Sequence, residues 1–169
     1  MNKHRGTIVL LEGIDGAGKT TLAEALTSAR PDWRYQHFEA PKDYGGPGGL
    51  ALEAARELAA ADIPGRVTVW DRGWVSMRVY PHTRHDDFKV QRQLLSVADA
   101  VRLASLHACS VRAFLLERTE NDDKEFSTAQ LRSERDLFRK FMPGAVRLVD
   151  CTVGYMVNEV LLGVESDAV

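Results

Sequence analysis

Four residues near the amino terminus have the types and the spacing that phosphate binding requires. Gly13, Gly18, Lys19 and Thr20 form the pattern G-x-x-x-x-G-K-T directly after a short apolar run. Glycines allow the backbone to wrap around a phosphate chain because no Cβ stands in the way. Lys19 can reach the terminal phosphates, and the Thr20 hydroxyl can ligate Mg²⁺. The pattern therefore predicts a binding loop for a nucleoside triphosphate.

The residues around this pattern provide the context that such a loop needs. The apolar run at 8–11 predicts a buried strand over residues 7–11, and Leu22, Ala25 and Leu26 lie on one face of a helix that begins near Gly18. The amino terminus of that helix adds partial positive charge for the phosphates. The residues expected to contact ATP are Gly13, Asp15, Gly16, Ala17, Gly18, Lys19, Thr20 and Thr21.

A second pair of candidate residues follows the apolar run at 67–70. Asp71 ends this predicted strand, and a carboxylate in that place reaches the Mg²⁺ of a phosphate-binding loop or its water. Arg72 places a guanidinium beside the phosphates, where it is suited to bidentate contact. A surface Asp-Arg pair is the alternative, but parallel strands bring their carboxyl ends to one crevice. We expect Thr20 and Asp71 to be the metal ligands.

The composition is that of an ordinary globular domain. The chain has 169 residues with 44% hydrophobic and 27% charged residues, which favours a single domain over 1–169. Its net charge of -2 gives no support to nucleic-acid binding through bulk electrostatics. Cys109 and Cys151 match no metal or redox spacing. With no apolar run near ~18 residues and no cleavable signal, we expect a cytoplasmic protein.

Strand and helix patterns alternate along the chain. Strands are predicted at 7–11, 33–40, 67–70, 111–116 and 146–149. Helices are predicted from about 18 to a stop at Pro31, and at 50–61, 85–107, 127–142 and 153–162. Residues 41–49 are rich in glycine and proline and predict a loop that is neither helix nor strand. The alternation implies an α/β fold, a five-stranded parallel sheet with helices on both faces and ligands beyond the carboxyl ends of its strands.

Both motifs resemble those of the thymidylate kinase family of P-loop nucleoside monophosphate kinases. The family's loop is E-G-x-D-G-x-G-K-T-T, and residues 12–21 are EGIDGAGKTT. Its second signature is D-R-Y-x-x-S-x-x-A-Y-Q, which four residues match, namely Asp71, Arg72, Ser76 and Tyr80. Three residues depart from it, namely Gly73, Val79 and Pro81. The resemblance implies the three-layer P-loop NTPase fold, a role in deoxynucleotide biosynthesis, and transfer of the ATP γ-phosphoryl to dTMP or several dNMPs, giving dNDP and ADP.

The resemblance also implies roles in the acceptor site. Asp15 would bond the sugar 3′-hydroxyl, Arg72 would bind the 5′-phosphate, and Tyr80 would stack under the deoxyribose, where a 2′-hydroxyl would clash. The family reads its base with a Phe and an Arg four residues apart, where this chain has Leu52 and Arg56. Arg56 is either a base contact or a solvated helix residue, and Tyr44 or Trp74 is a candidate replacement ring. The expected acceptor residues are Asp15, Glu39, Arg56, Arg72 and Tyr80.

A cation from a lid is expected because position 16 is glycine. Family members with glycine there take an arginine from a mobile lid after the fourth strand, a region that corresponds to about 117–126. Arg118 is the first choice for this cation, followed by Lys124, Arg132 and Arg135. A solvated acidic turn is the alternative for this region. The expected catalytic residues are Lys19, Asp71, Arg72 and Arg118.

Two other functions remain open. A phosphate acceptor is already an oxyanion, whereas a hydroxyl acceptor needs a carboxylate to take its proton. Asp71 could serve as that base in a deoxynucleoside or polynucleotide 5′-hydroxyl kinase. A GTPase switch or motor ATPase is disfavoured because the chain has no N-K-x-D guanine motif. The expected partners are ATP and a dNMP, without membrane or nucleic acid, and the resemblance leaves a homodimer open.

Overall fold

Five parallel strands form the centre of the computed structural model, which describes residues 5–85, 87–119 and 126–165. The strands are β1 (Thr7–Glu12), β2 (Arg34–His37), β3 (Val67–Asp71), β4 (Ser110–Glu117) and β5 (Val146–Val149). They pair in the order β2-β3-β1-β4-β5. The predicted α/β class and five-stranded parallel sheet are confirmed.

The helices form two packed groups around this sheet. They are α1 (Lys19–Ala29), α2 (Pro47–Ala61), α3 (Trp74–Arg84), α4 (Phe88–Ala108), α5 (Thr128–Phe141) and α6 (Val153–Glu165). Helix α1 packs against α6, whereas α4 packs against α2 and α3, and α3 also packs against α5. None of the described helices combines the length and apolar character that a membrane crossing would need.

The centre of the sheet is buried, which explains its continuous apolar sequences. Every residue of β1 and β3 is buried, as expected for parallel strands that are covered on both faces. Leu11 pairs with Asp71 of β3, and Glu12 pairs with Leu115 of β4. The carboxyl ends of these three strands therefore meet at one edge of the sheet, where the glycine-rich turn begins.

The structure corrects the prediction for residues 33–49. Strand β2 ends at His37 rather than at residue 40. The predicted loop at 41–49 contains a short 3-10 helix, Pro41–Tyr44, and the first turn of α2, which begins at Pro47. Proline is tolerated there because the first N–H groups of a helix have no intrahelical partner. Calling this segment neither helix nor strand was wrong.

Helix α3 was not predicted, because its amino terminus is stabilised by a distant residue. The Glu12 carboxylate accepts the backbone N–H groups of Val75 and Ser76 at 3.1 and 3.2 Å, and also the Ser76 hydroxyl. Pro81 lies inside the helix, which local rules disfavour. The next helix, α4, begins at Phe88 rather than at residue 85, because the Asp87 side chain caps it.

Candidate active site

The glycine-rich turn between β1 and α1 adopts a backbone that only glycine accommodates easily. Gly13, Gly16 and Gly18 have φ angles of 144°, 74° and 90°. A Cβ at Gly13 would lie 2.3 Å from the carbonyl oxygen of Leu116. The loop therefore needs these glycines both for its conformation and for its close packing against β4.

Lys19, the first residue of α1, lies buried under this loop. Its Nζ donates to the carbonyl oxygens of Gly13 and Ile14 at 2.9 and 2.7 Å. Burial, and secondly the positive charge of Arg72, lower the pKa of Lys19 to about 8. Because both hydrogen bonds described for this ammonium go to neutral carbonyls, an anion in the loop would stabilise its charged form.

Asp71, the last residue of β3, is fully buried beside the amino terminus of α1. Its Oδ2 accepts the hydroxyls of Thr20 and Tyr35 at 2.6 and 3.2 Å and lies 2.9 Å from Nδ1 of His37. Its Oδ1 is buried and has no hydrogen-bond partner among the described residues. A carboxylate and a hydroxyl side by side are hard oxygen donors, so this pair fits Mg²⁺ that is also held by phosphates. Thr20 and Asp71 would be its protein ligands.

Asp15 connects the loop to two arginines. It accepts a hydrogen bond from Nη2 of Arg72 and lies 2.7 Å from Nη1 of Arg84. Arg84 also binds Glu134 of α5 through Nε and Nη2, both at 2.7 Å, and Glu134 is fully buried. Burial by itself raises the pKa of Asp15, but the two arginines outweigh it and lower the pKa below its usual value.

The Tyr80 ring supports both guanidinium groups. The Cζ atoms of Arg84 and Arg72 lie 3.8 and 5.3 Å from its centroid. Its hydroxyl donates to the carbonyl oxygen of Gly13 at 3.3 Å, and its ring packs edge-on against Phe138. Tyr80 is therefore fixed in place between the loop, α5 and the two arginines.

A cavity opens between the end of β2, the start of α2 and the inner face of α3. Its apolar lining includes Phe38, Pro41, Leu50, Met77, Pro81 and Leu94. Its polar lining consists of Glu39, Arg72, Ser76, Tyr80, Arg84 and His85. The cavity thus combines an apolar wall of the kind that a flat ring requires with two cations at the end near the loop.

The structure does not bring Leu52 or Arg56 to this cavity. On α2 the buried face carries Leu50 and Ala54, whereas Leu52 is 54% exposed. The Arg56 side chain is 68% exposed and lies 3.8 Å from Glu53. Residues that are two positions apart in an α-helix are separated by about 200° around its axis. Residues 52 and 56 therefore face solvent when residues 50 and 54 face inward. The two residues that correspond to the family's base-reading pair therefore do not line the cavity.

The proposed replacement rings lie elsewhere as well. Trp74 is buried against Trp70. Tyr44 is half-buried, and its phenol oxygen accepts the backbone N–H of Glu39 at 3.1 Å. Besides Tyr80, the described lining of the cavity includes the phenyl ring of Phe38. This ring packs edge-on against Trp70.

Known structures share this fold at low sequence identity. No protein-family model and no curated protein matches the chain. The Bacillus subtilis YorR protein, solved in complex with phosphorylated GDP, matches with a TM-score of 0.68, 16% identity and coverage of 95% of this chain and 97% of its own. Candida albicans thymidylate kinase matches with a TM-score of 0.61 and 14% identity over 97% and 93% of the two chains. The deoxyadenosine kinase of M. mycoides matches with a TM-score of 0.55 and 10% identity over 95% and 99%.

The chain has the fold of the P-loop nucleotide kinases.

The predicted lid of this P-loop kinase fold begins where β4 ends. Arg118 is exposed, and one of its guanidinium nitrogens would lie 3.4 Å from a Cβ placed on Gly18. Arg135 donates to the Arg118 carbonyl oxygen at 2.6 Å, and Arg132 is exposed on α5. Lys124 lies outside the described residues. Of the predicted lid cations in the part of the chain that the structure describes, Arg118 therefore lies beside Gly18 of the P-loop, and Arg135 lines a small cleft together with Gly13 and Ile14.

Sequence reasoning missed three charged residues of the site. Arg84 follows Tyr80 by four residues, a spacing that places a cation on an aromatic ring within a helix and could have indicated it. Glu12 belongs to the P-loop motif, but its contact with α3 is tertiary. Glu134 lies far away in the sequence and gives no local signal. Burial raises the pKa of Glu12 to about 7, although the hydrogen bonds from Ser76 act in the opposite direction.

Proposed function

We propose that this protein is an ATP- and Mg²⁺-dependent kinase that transfers the γ-phosphoryl of ATP to a deoxynucleoside monophosphate, giving a dNDP and ADP. One observation carries the proposal. Asp15, a residue of the P-loop, forms ion pairs with two arginines that line the neighbouring cavity. The donor site and a cation-lined acceptor cavity therefore share a wall, which is the arrangement that transfer between two phosphates requires.

The P-loop supplies the residues for the proposed ATP site. The glycine turn and the start of α1 would hold the ATP phosphates, and Lys19 would exchange its bonds to Gly13 and Ile14 for the terminal phosphates. Mg²⁺ held by Thr20 and Asp71 would neutralise charge on the transferring group. Arg118 lies beside Gly18 of the loop, where it could complete the neutralisation.

The cavity supplies the residues for the proposed acceptor site. Arg72 would bind the acceptor phosphate, and Tyr80 would support the sugar. An acceptor phosphate is already a nucleophilic oxyanion, so the cavity needs cations and in-line placement rather than a general base. Asp71 fits this scheme, because it is not among the described residues that line the cavity and its Oδ2 already faces Thr20, Tyr35 and His37.

The walls of the cavity favour tolerance towards the base. Leu50, Met77 and Leu94 present aliphatic surface to a bound ring, and such surface discriminates weakly between bases of similar size. The Tyr80 ring is fixed and would exclude a 2′-hydroxyl, as the resemblance to thymidylate kinases implies. We expect a preference that is broad in the base and narrow in the sugar.

A 5′-hydroxyl kinase is the second candidate, and Glu39 is the observation in its favour. Its carboxylate lines the cavity, and its side chain is 61% exposed and lies 3.5 Å from Nε2 of His37. Such a group could take the proton of a hydroxyl acceptor. Glu39→Gln should therefore abolish transfer to a hydroxyl but leave transfer to a phosphate within a few-fold of the wild-type rate.

A panel of acceptors tests the proposal. ADP formation is followed with ATP and Mg²⁺ in the presence of each of the four dNMPs, the corresponding ribonucleotides, thymidine, or no acceptor. We expect turnover with several dNMPs, weak turnover with the ribonucleotides and a low rate without acceptor. Arg56→Ala, at an arginine that faces solvent, is the matched control and should behave as wild type. Turnover with thymidine alone, or equal turnover without any acceptor, would exclude the proposal.

A further inference from the structure

We infer that Arg84 binds the acceptor phosphate together with Arg72, so that the cavity is built for a doubly charged monophosphate end. This inference rests on the proposed function. It adds a residue to the acceptor site and specifies the chemical class that the site selects, namely a phosphate monoester dianion rather than a hydroxyl.

The two guanidinium groups converge on one place. Both pair with the same carboxylate, Asp15, one through each oxygen, and both lie over the Tyr80 ring. Their side chains are only 25% and 19% exposed, and both line the cavity. Two fixed cations in the wall of one cavity match a dianion, and planar guanidinium groups match phosphate oxygens bidentately.

Both arginines retain hydrogen-bonding capacity. The described side-chain hydrogen bond of Arg72 uses one N–H of Nη2, whereas its Nε is buried away from solvent without a partner among the described residues. Arg84 uses Nε, one N–H of Nη1 and one N–H of Nη2 for its described bonds, which leaves two of its five N–H donors for a ligand. Donors near a cavity that protein acceptors do not satisfy are best matched by an acceptor-rich ligand.

Arg84 is also held rigidly, which suits a residue that binds rather than one that only fills space. Glu134 fixes it in a bidentate pair, and its guanidinium lies between the rings of Tyr80 and Phe126, at 3.8 and 4.2 Å from their centroids. A cation positioned in this way loses little conformational freedom when a phosphate arrives. Charge is balanced as well, because Asp15 and Glu134 neutralise the arginines before the ligand binds.

Removing Arg84 alone would leave Glu134 buried without a cation, which can unfold the protein. The test therefore uses the double variant Arg84→Gln/Glu134→Gln, in which two amides replace the ion pair. Glu134→Gln alone is the matched control, because it keeps the guanidinium but loses its structural partner. Thermal unfolding and circular dichroism show whether each variant is folded.

Calorimetry measures the affinity of the wild type and of each variant for dTMP and for thymidine. Comparing the loss of the ligand phosphate with the loss of the Arg84 guanidinium gives the coupling energy between these two groups. We expect the double variant to bind dTMP about tenfold or more weakly than Glu134→Gln does, with an unchanged affinity for thymidine. Equal losses for dTMP and thymidine, or no loss for either, would overturn the role of Arg84 and leave the proposed function intact. Wild-type protein that binds dTMP no better than thymidine would overturn both.

Discussion

At the scale of single residues, we propose that Lys19 of the P-loop and the buried Asp71 carry the donor chemistry. Lys19→Ala and Asp71→Asn should each reduce phosphoryl transfer by about 100-fold or more, because both act on charge at the transferring group and its metal. Steady-state ADP formation measures the effect, and Lys89→Ala, at an exposed lysine of α4, is the matched control for Lys19. Either variant that is folded and retains more than a tenth of wild-type turnover would refute its assigned role.

Arg72 pairs with Asp15 of the P-loop and lines the cavity that we propose as the acceptor site, so its removal should affect acceptor binding as well as turnover. Arg72→Ala should raise the KM for the dNMP and lower kcat, since truncating one partner of a desolvated charge pair costs about 2–5 kcal/mol. The KM for ATP should change much less. Arg56→Ala provides the comparison, because it removes an arginine that the structure places in solvent. An acceptor affinity that calorimetry finds unchanged in Arg72→Ala would remove Arg72 from the acceptor site.

At the scale of elements, an ion-pair cluster joins the end of β4 to α5 and β5. Glu117 is buried and accepts hydrogen bonds from Arg139 and Arg147. The bonds from Arg139, followed by those from Arg147, outweigh burial and lower the pKa of Glu117 to about 2. A carboxylate with a lowered pKa in the folded state stabilises that state at pH values above its unfolded pKa. This stabilisation is lost as pH falls from about 4.5 to about 2.

Glu117→Gln should therefore lower the free energy of unfolding at pH 7 by about 1–2 kcal/mol, a range reduced because both arginines are half exposed. The difference from wild type should shrink as the pH falls below about 4.5. Urea unfolding at pH 7, 5, 4 and 3 measures it, with Glu24→Gln on the exposed face of α1 as the control. A difference that is constant over this range would show that the ionised carboxylate is not the cause.

The segment after β4 should act on the transition state rather than on binding. Arg118→Ala should lower kcat while leaving the affinities for both nucleotides nearly unchanged, because a lid cation engages charge that develops during transfer. Arg132→Ala tests the exposed alternative on α5 and should have little effect, whereas Arg135→Ala should have an intermediate effect through its bond to the Arg118 carbonyl. Pre-steady-state kinetics measures the rate of phosphoryl transfer, and calorimetry measures the affinity for each nucleotide. Normal kcat in Arg118→Ala with a loss in Arg132→Ala would reassign the cation.

The elements also show why sequence reasoning succeeded in one place and failed in another. Strand β1, the P-loop and the start of α1 are specified by neighbouring residues, so their pattern predicts them. Helix α3 begins where Glu12 of β1 accepts its N–H groups, a contact across 63 residues that no local window contains. Helix α2 turns Leu50 rather than Leu52 towards the cavity, and tertiary packing rather than the spacing of a motif decides which face points inward.

At the scale of the whole molecule, the sheet order explains which site residues could be predicted. Strands β3, β1 and β4 lie side by side, so Asp71, the P-loop and Arg118 reach one edge from separate parts of the sequence. That grouping follows from parallel topology, which the alternating pattern predicts. The pairing of Arg84 with Glu134 depends on how α3 packs against α5, and this packing is decided by tertiary contacts rather than by any motif.

The most direct test of the proposed function asks which bond the protein forms. Wild-type protein is incubated with ATP, Mg²⁺ and an equimolar mixture of dTMP and thymidine, and the products are followed by ³¹P nuclear magnetic resonance. We expect the coupled pair of resonances of a deoxynucleoside diphosphate, in step with ADP, and no increase in dTMP from thymidine. A rise in the monophosphate-ester resonance without a new dNDP would mean that a hydroxyl is the acceptor, and it would contradict the proposed function.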